Sequence, residues 1–213
     1  MTEAAKAASA RAEPFDVLHE ITPAHVSVLE TIERAFDEGG ALPDLDGLRA
    51  QIALLVDRLR RRVAERTTVS PEALLLPLVC LYDERVMVRA MEPRGEEHWS
   101  RIQRADYAPR EDGGDLFFTK EREILRRANS VTDGTDPAER EELTMLVTLY
   151  RFCLAEGFQG RSSESPAMLK ERIAQLDAAL ASLVPRRAPT AGKPRPPPPS
   201  LLDRVRDALG LSR

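Results

Sequence analysis

Apolar residues return along this chain in steps of three and four. Leu48, Ile52, Leu55, Leu59 and Val63 form one stripe, and Leu169, Ile173, Leu176, Leu180 and Leu183 form another. That spacing keeps side chains on one side of an α-helix, so both segments predict amphipathic helices packed against neighbours. The second stripe alternates threes and fours as a coiled coil does. It is too short to sustain one, and a bundle helix is the better reading. Residues 74–81 and 146–154 are apolar nearly all round and predict helices at the centre of a bundle. No alternation of period two lasts long enough to predict a strand.

Helix starts are marked by a capping residue followed by proline, at Thr22-Pro23, Ser70-Pro71, Asp136-Pro137 and Ser165-Pro166. Stripes and caps together predict helices over 16–37 (with a break near Thr22), 44–66, 71–91, 96–104, 116–129, 137–156 and 166–184. This is an all-α chain of about seven helices. Pro77 predicts a kink near the start of the third. Gly157 falls where a helix end adopts a left-handed conformation, and Phe158 falls where the next side chain folds back onto the last turn. Gly113-Gly114 reads as a turn that lets Phe117 and Phe118 enter the core.

Residues 1–14 are expected to be disordered, and 15–184 to form the helical domain. Pro185 to Pro199 is proline-rich and basic, an extended linker. Beyond it, Leu201, Leu202, Val205, Ala208 and Leu209 fall on one face of a short amphipathic helix within 200–213. That helix is too short to be stable alone and needs a surface to lie on. It is expected to stay off its own bundle, and its apolar face is a candidate partner-binding element.

The 213 residues are 42% hydrophobic but only 5% aromatic, so the core must be mainly Leu, Val, Ile and Ala. A net charge of −4 gives no global attraction to nucleic acid or to anionic lipid. No window reaches the roughly 18 consecutive apolar residues that a membrane-spanning helix needs, and Met1 to Arg11 does not read as a secretion signal. The chain is read as soluble and cytoplasmic.

Little in the sequence points to catalysis. Cys80 and Cys153 lie inside apolar helical runs and read as small buried thiols. His19, His25 and His98 have no zinc-ligand spacing, His25 reads as a core or flank residue, and neither metal nor cofactor is expected. Asp83 and Glu84 are adjacent carboxylates on a helix, where neighbours diverge by about 100° and cannot easily converge on one substrate atom. Trp99, the only tryptophan, reads first as a plug between bundles and second as an interface anchor. The arginines between Arg58 and Arg62 read as a solvated helix face.

Four fragments nevertheless stand in a telling order: Leu81-Tyr82-Asp83-Glu84, Trp99, Gly113-Gly114-x-x-Phe117-Phe118, and Gly157-Phe158-Gln159-Gly160. In that order they resemble the signature of the DotU/TssL (IcmH/DotU) family, and the resemblance covers roughly residues 15 to 184. It implies two small helical bundles side by side in a hook shape. It also implies a non-enzymatic assembly component of a type VI secretion membrane complex, at the cytoplasmic face of the bacterial inner membrane. Its expected partners are membrane-complex and baseplate proteins, with self-association besides. The family's acidic pair lies at the cleft between bundles, which makes Asp83 and Glu84 the candidate partner-binding residues carried over by resemblance. The chain departs from the family at Tyr82, where an apolar residue is usual, and at Arg161-Ser162-Ser163, where a tyrosine or similar residue is. A proline-rich linker also stands where members usually continue into a membrane-spanning helix, so membrane contact is expected only through a partner or through a helix outside this sequence. The competing readings are an unrelated helical adaptor and, behind it, a helical enzyme with an unrecognised site.

Overall fold

The computed structural model describes residues 16–37, 42–91, 99, 101–102, 112–160 and 165–184. Among them are six helices and no strand: α1 (Val17–Asp37), α2 (Leu45–Arg66), α3 (Pro71–Met91), α4 (Gly113–Asn129), α5 (Pro137–Ala155) and α6 (Pro166–Leu183). The seventh helix expected, over 96–104, falls almost entirely outside the described residues, as do 1–14, the linker and the 200–213 segment.

The local chemistry that starts these helices is visible atom by atom. Asp44 accepts from Gly47 N at 3.1 Å, Ser70 from Ala73 N at 3.3 Å, Asp136 from Ala138 N at 3.0 Å and Ser165 from Met168 N at 3.4 Å. Two expectations are corrected. Thr22-Pro23 does not start α1. Asp16 does, accepting from Leu18 N at 3.0 Å and His19 N at 3.2 Å. Pro23 sits inside the helix because the buried stripe of Val17, Ile21, His25, Val28 and Ile32 runs across it, and burial of Val17 and Ile21 outweighs the missing N–H. Gly113-Gly114 is likewise no turn. It is the first turn of α4, capped by Asp112, whose carboxylate accepts from Gly114 N at 3.0 Å.

Helices α1, α2 and α3 pack on one another, and so do α4, α5 and α6. Helices α3 and α5, which carry the apolar runs 74–81 and 146–154, meet between the two groups. One continuous core runs through both, with Leu74, Val79, Leu81 and Val86 of α3 and Leu143, Val147, Leu149 and Cys153 of α5 fully enclosed. Both cysteines are free and buried, and burial pushes their thiols well above the ordinary range, which keeps them protonated and inert.

A charge also enters the buried face of α4. Glu121 lies four residues after Phe117 on the buried side of α4 and is 0% exposed. Arg172 of α6 meets it at 2.8 Å, with its guanidinium 4.7 Å from the centre of the Phe118 ring. A second interhelical pair, Arg151–Asp177, joins α5 to α6 but is about half exposed on both sides. Arg172→Ala should lower unfolding free energy by about 3 kcal/mol, since it strips a partner from an enclosed carboxylate. Arg151→Ala should cost under about 1 kcal/mol. Urea unfolding of both variants would check this, and equal losses would contradict the assignment.

Candidate functional site

Helix α3 ends its buried run on three consecutive polar residues, and each reaches a different part of the chain. Asp83, only 4% exposed, accepts through Oδ1 from Trp99 Nε1 at 3.0 Å and from Ile102 N at 2.9 Å. The Oε1 of Glu84 accepts from Gln159 N at 2.9 Å, and its Oε2 accepts from Gly160 N at 2.5 Å. Arg85 donates to the carbonyl of Glu156. Burial raises the Glu84 carboxyl above its ordinary range, an effect the two N–H donors oppose.

The segment that Glu84 holds is the end of α5. There Gly157 N donates to Leu154 O and Phe158 N donates to Cys153 O, both at 3.0 Å, which is the paired bonding of a Schellman helix stop. Gly157 has φ +88° and Gly160 φ +66°, conformations that favour glycine. Phe158 folds back as expected, 1% exposed, with its ring centre 4.2 Å from that of Phe117 and 5.9 Å from that of Phe118. Gly160 lies against the start of α4: a Cβ there would stand 3.2 Å from Gly114 Cα and 2.9 Å from Phe118 Cε2. The four fragments singled out from sequence therefore meet at one place.

Beside this junction is a groove of about 210 Å³, lined by Cys80, Asp83, Glu84, Met87, Val88 and Met91 of α3, by Arg101, by Asp112 to Gly114, and by Phe158 and Gly160. Its mouth is apolar. Val88 is 59% exposed and Met91 61%, two of the most exposed large apolar side chains among the described residues. Arg101 and Asp112 close one side with a 2.5 Å ion pair.

The structure brings Asp83 and Trp99 together through their hydrogen bond, and it places Asp83 and Glu84 in the wall of the groove with their carboxylates bonded to the protein itself. Trp99 is 5% exposed and fits the plug reading. Leu201, Leu202, Val205 and Leu209 lie outside the described residues. Sequence reasoning missed Met87, Val88 and Met91. The exposed pair could have been found as apolar residues spaced three apart beyond the end of the buried run. It also missed His25 as part of a cluster: His25 Nδ1 lies 3.3 Å from the Tyr82 hydroxyl, and Nε2 lies 3.6 Å from Glu156.

In fold class the chain is an all-α domain of two packed helical groups sharing one core. No protein-family model matches it, and no curated protein does. Among solved structures it is similar to DotU from Francisella novicida, with a TM-score of 0.57 and 16% identity, over 77% of this chain and 99% of that one. At that identity the likeness establishes a shared, DotU-like fold.

Two outcomes follow from the junction. Glu84→Gln places an amide N–H₂ against one of two backbone donors and should cost about 1–3 kcal/mol of stability, with Gly160→Ala costing a similar amount through the Phe118 and Gly114 contacts. Chemical denaturation of each variant checks both, and an unchanged midpoint would refute the junction's role. Burial holds the His25 imidazole below its ordinary 6.5, opposed by Glu156. The folded state therefore binds a proton at His25 less readily than the unfolded chain does, so this contribution is present above about pH 6.5 and is lost as pH falls below it. Between about pH 7.5 and about pH 5, wild-type stability should fall more than that of His25→Phe, and parallel curves would contradict this.

Proposed function

We propose that the chain is a non-enzymatic assembly component of a type VI secretion membrane complex, docking baseplate and membrane-complex proteins from the cytoplasmic side. The observation that carries this reading is the convergence of the four signature fragments on one junction, within a fold similar to DotU along nearly the whole of that protein. The resemblance then accounts for residues whose physical work is now explicit. The docking face we assign is the groove beside the junction, with Met87, Val88 and Met91 as its contact surface and Asp83, Glu84 and Trp99 as the frame behind it.

The enzyme reading is weaker on a specific ground. Both candidate carboxylates are engaged by fixed donors, Trp99 Nε1 and three backbone N–H groups, and they splay toward different segments rather than toward one substrate atom. The generic adaptor reading shares the groove but leaves the order of the fragments unexplained.

Charge reversal at Asp83 or Glu84 would break the junction and so report on folding. The informative change is Val88→Asp/Met91→Asp, with Val26→Asp, 46% exposed on α1, as control. In affinity capture from the native bacterium, wild type and Val26→Asp should recover baseplate and membrane-complex proteins, and the groove variant should lose them by about tenfold or more. Recovery by none of the three would sink the secretion reading. Equal recovery by all would keep that reading and remove the groove from it.

A further inference from the structure

The groove is apolar at its mouth, acidic in its wall, and open on a chain that carries a complementary segment of its own. We infer that the face formed by Leu201, Leu202, Val205 and Leu209 docks as a helix into this groove of the same chain. The inference rests on the groove and the tail alone and does not require the secretion reading. It changes the expectation drawn from sequence, under which this segment stays off its own domain.

Three observations carry it. The first is charge. Residues 185–213 hold seven of the 31 Lys and Arg but only two of the 35 Asp and Glu, which leaves 24 basic against 33 acidic residues for 1–184. A basic tail is thereby joined to a strongly acidic domain, and the groove wall contributes Asp83, Glu84 and Asp112 against Arg101. The second is pattern. On a helix the four apolar residues form one continuous stripe, with Arg204 and Arg206 on its two flanks, while Val88 and Met91 offer an apolar strip along α3. Methionines suit this use, because a flexible thioether moulds to the helix laid on it.

The third is reach. Helix α6 ends at Leu183, and the proline-rich segment 185–199 at about 3.1 Å per residue spans about 45 Å. A domain of this size is about 40 Å across, or about 60 Å over the surface to its far side, so the linker brings the tail to most of its faces. Tethering then raises its local concentration to the millimolar range, enough for a short apolar stripe that would bind weakly as a free peptide. Docked there, the tail shields Val88 and Met91 from water until something that binds the groove better displaces it.

The test is a cross-link in the full chain. Ala208 lies on the tail's apolar face and is small enough to change, so Ala208→Cys is combined with Val88→Cys. Ala208→Cys with Val26→Cys is the control, and the native cysteines stay buried. Under mild oxidation of dilute protein, the Val88 pair should form an intrachain disulfide, mapped by mass spectrometry, at least about ten times faster than the control. Adding Leu202→Asp/Leu209→Asp should return the rate to that of the control. Equal rates for the two pairs, insensitivity to the aspartates, or disulfide-linked dimers in place of the intrachain bond would each overturn docking within one chain, the last pointing to a second copy as the occupant.

Discussion

The structure turns on the carboxylate of Glu84 and the two backbone N–H groups it holds at Gln159 and Gly160. The donors lie 75 and 76 residues away in sequence, and no secondary-structure ladder supplies them with partners. A helix that stops in a Schellman turn leaves the chain after it pointing wherever its next contacts dictate. Glu84 supplies those contacts and so seats Gly160 on the first turn of α4. Its neighbours do related work. Asp83 fixes Trp99 and Ile102, and Arg85 takes the Glu156 carbonyl. Successive side chains on a helix diverge by about 100°, which makes an adjacent acidic pair a poor catalytic dyad. The same divergence lets one turn of α3 hold three separate segments.

Much of this was legible one element at a time. Local signals depend on residues a few positions apart, so the stripes and the caps at Ser70, Asp136 and Ser165 gave α2, α3, α5 and α6 to within a residue or two. Gly157 and Phe158 announced the helix stop for the same reason. The failures came where distant packing decides. Thr22-Pro23 has the local form of a helix start, yet the enclosed face that runs from Val17 to Ile32 belongs to a longer helix. Gly-Gly has the local form of a turn, and only the cap at Asp112 and the seat it offers to Gly160 show why it opens a helix.

The candidate site was legible in its residues and not in its surface. Fragments in order located the junction, but sequence could not say that Asp83 is enclosed, because the burial of a carboxylate depends on donors supplied from elsewhere. Glu121 teaches the same point from the other side. Sequence reading did not single it out, because the counter-charge that makes its burial tolerable comes from α6 and is set only by the packing of the two helices.

An enclosed acidic frame behind an apolar rim also constrains how such a surface can act. Asp83 and Glu84 cannot leave their donors to meet an incoming side chain without exposing unpaired N–H groups, a penalty on the order of 1–3 kcal/mol for each. Attraction at the groove must therefore come from what is free to be covered, the apolar surface of Met87, Val88 and Met91, with the acidic wall acting at a distance by favouring basic flanks. Burying a few apolar side chains in a preformed groove gives contacts that form and release readily, and the internal hydrogen bonds keep the groove in shape between occupants. On the proposed reading, stability and docking then share one stretch of α3 while using different residues of it, so that changes at exposed Val88 and Met91 would spare the junction and changes at buried Asp83 would not.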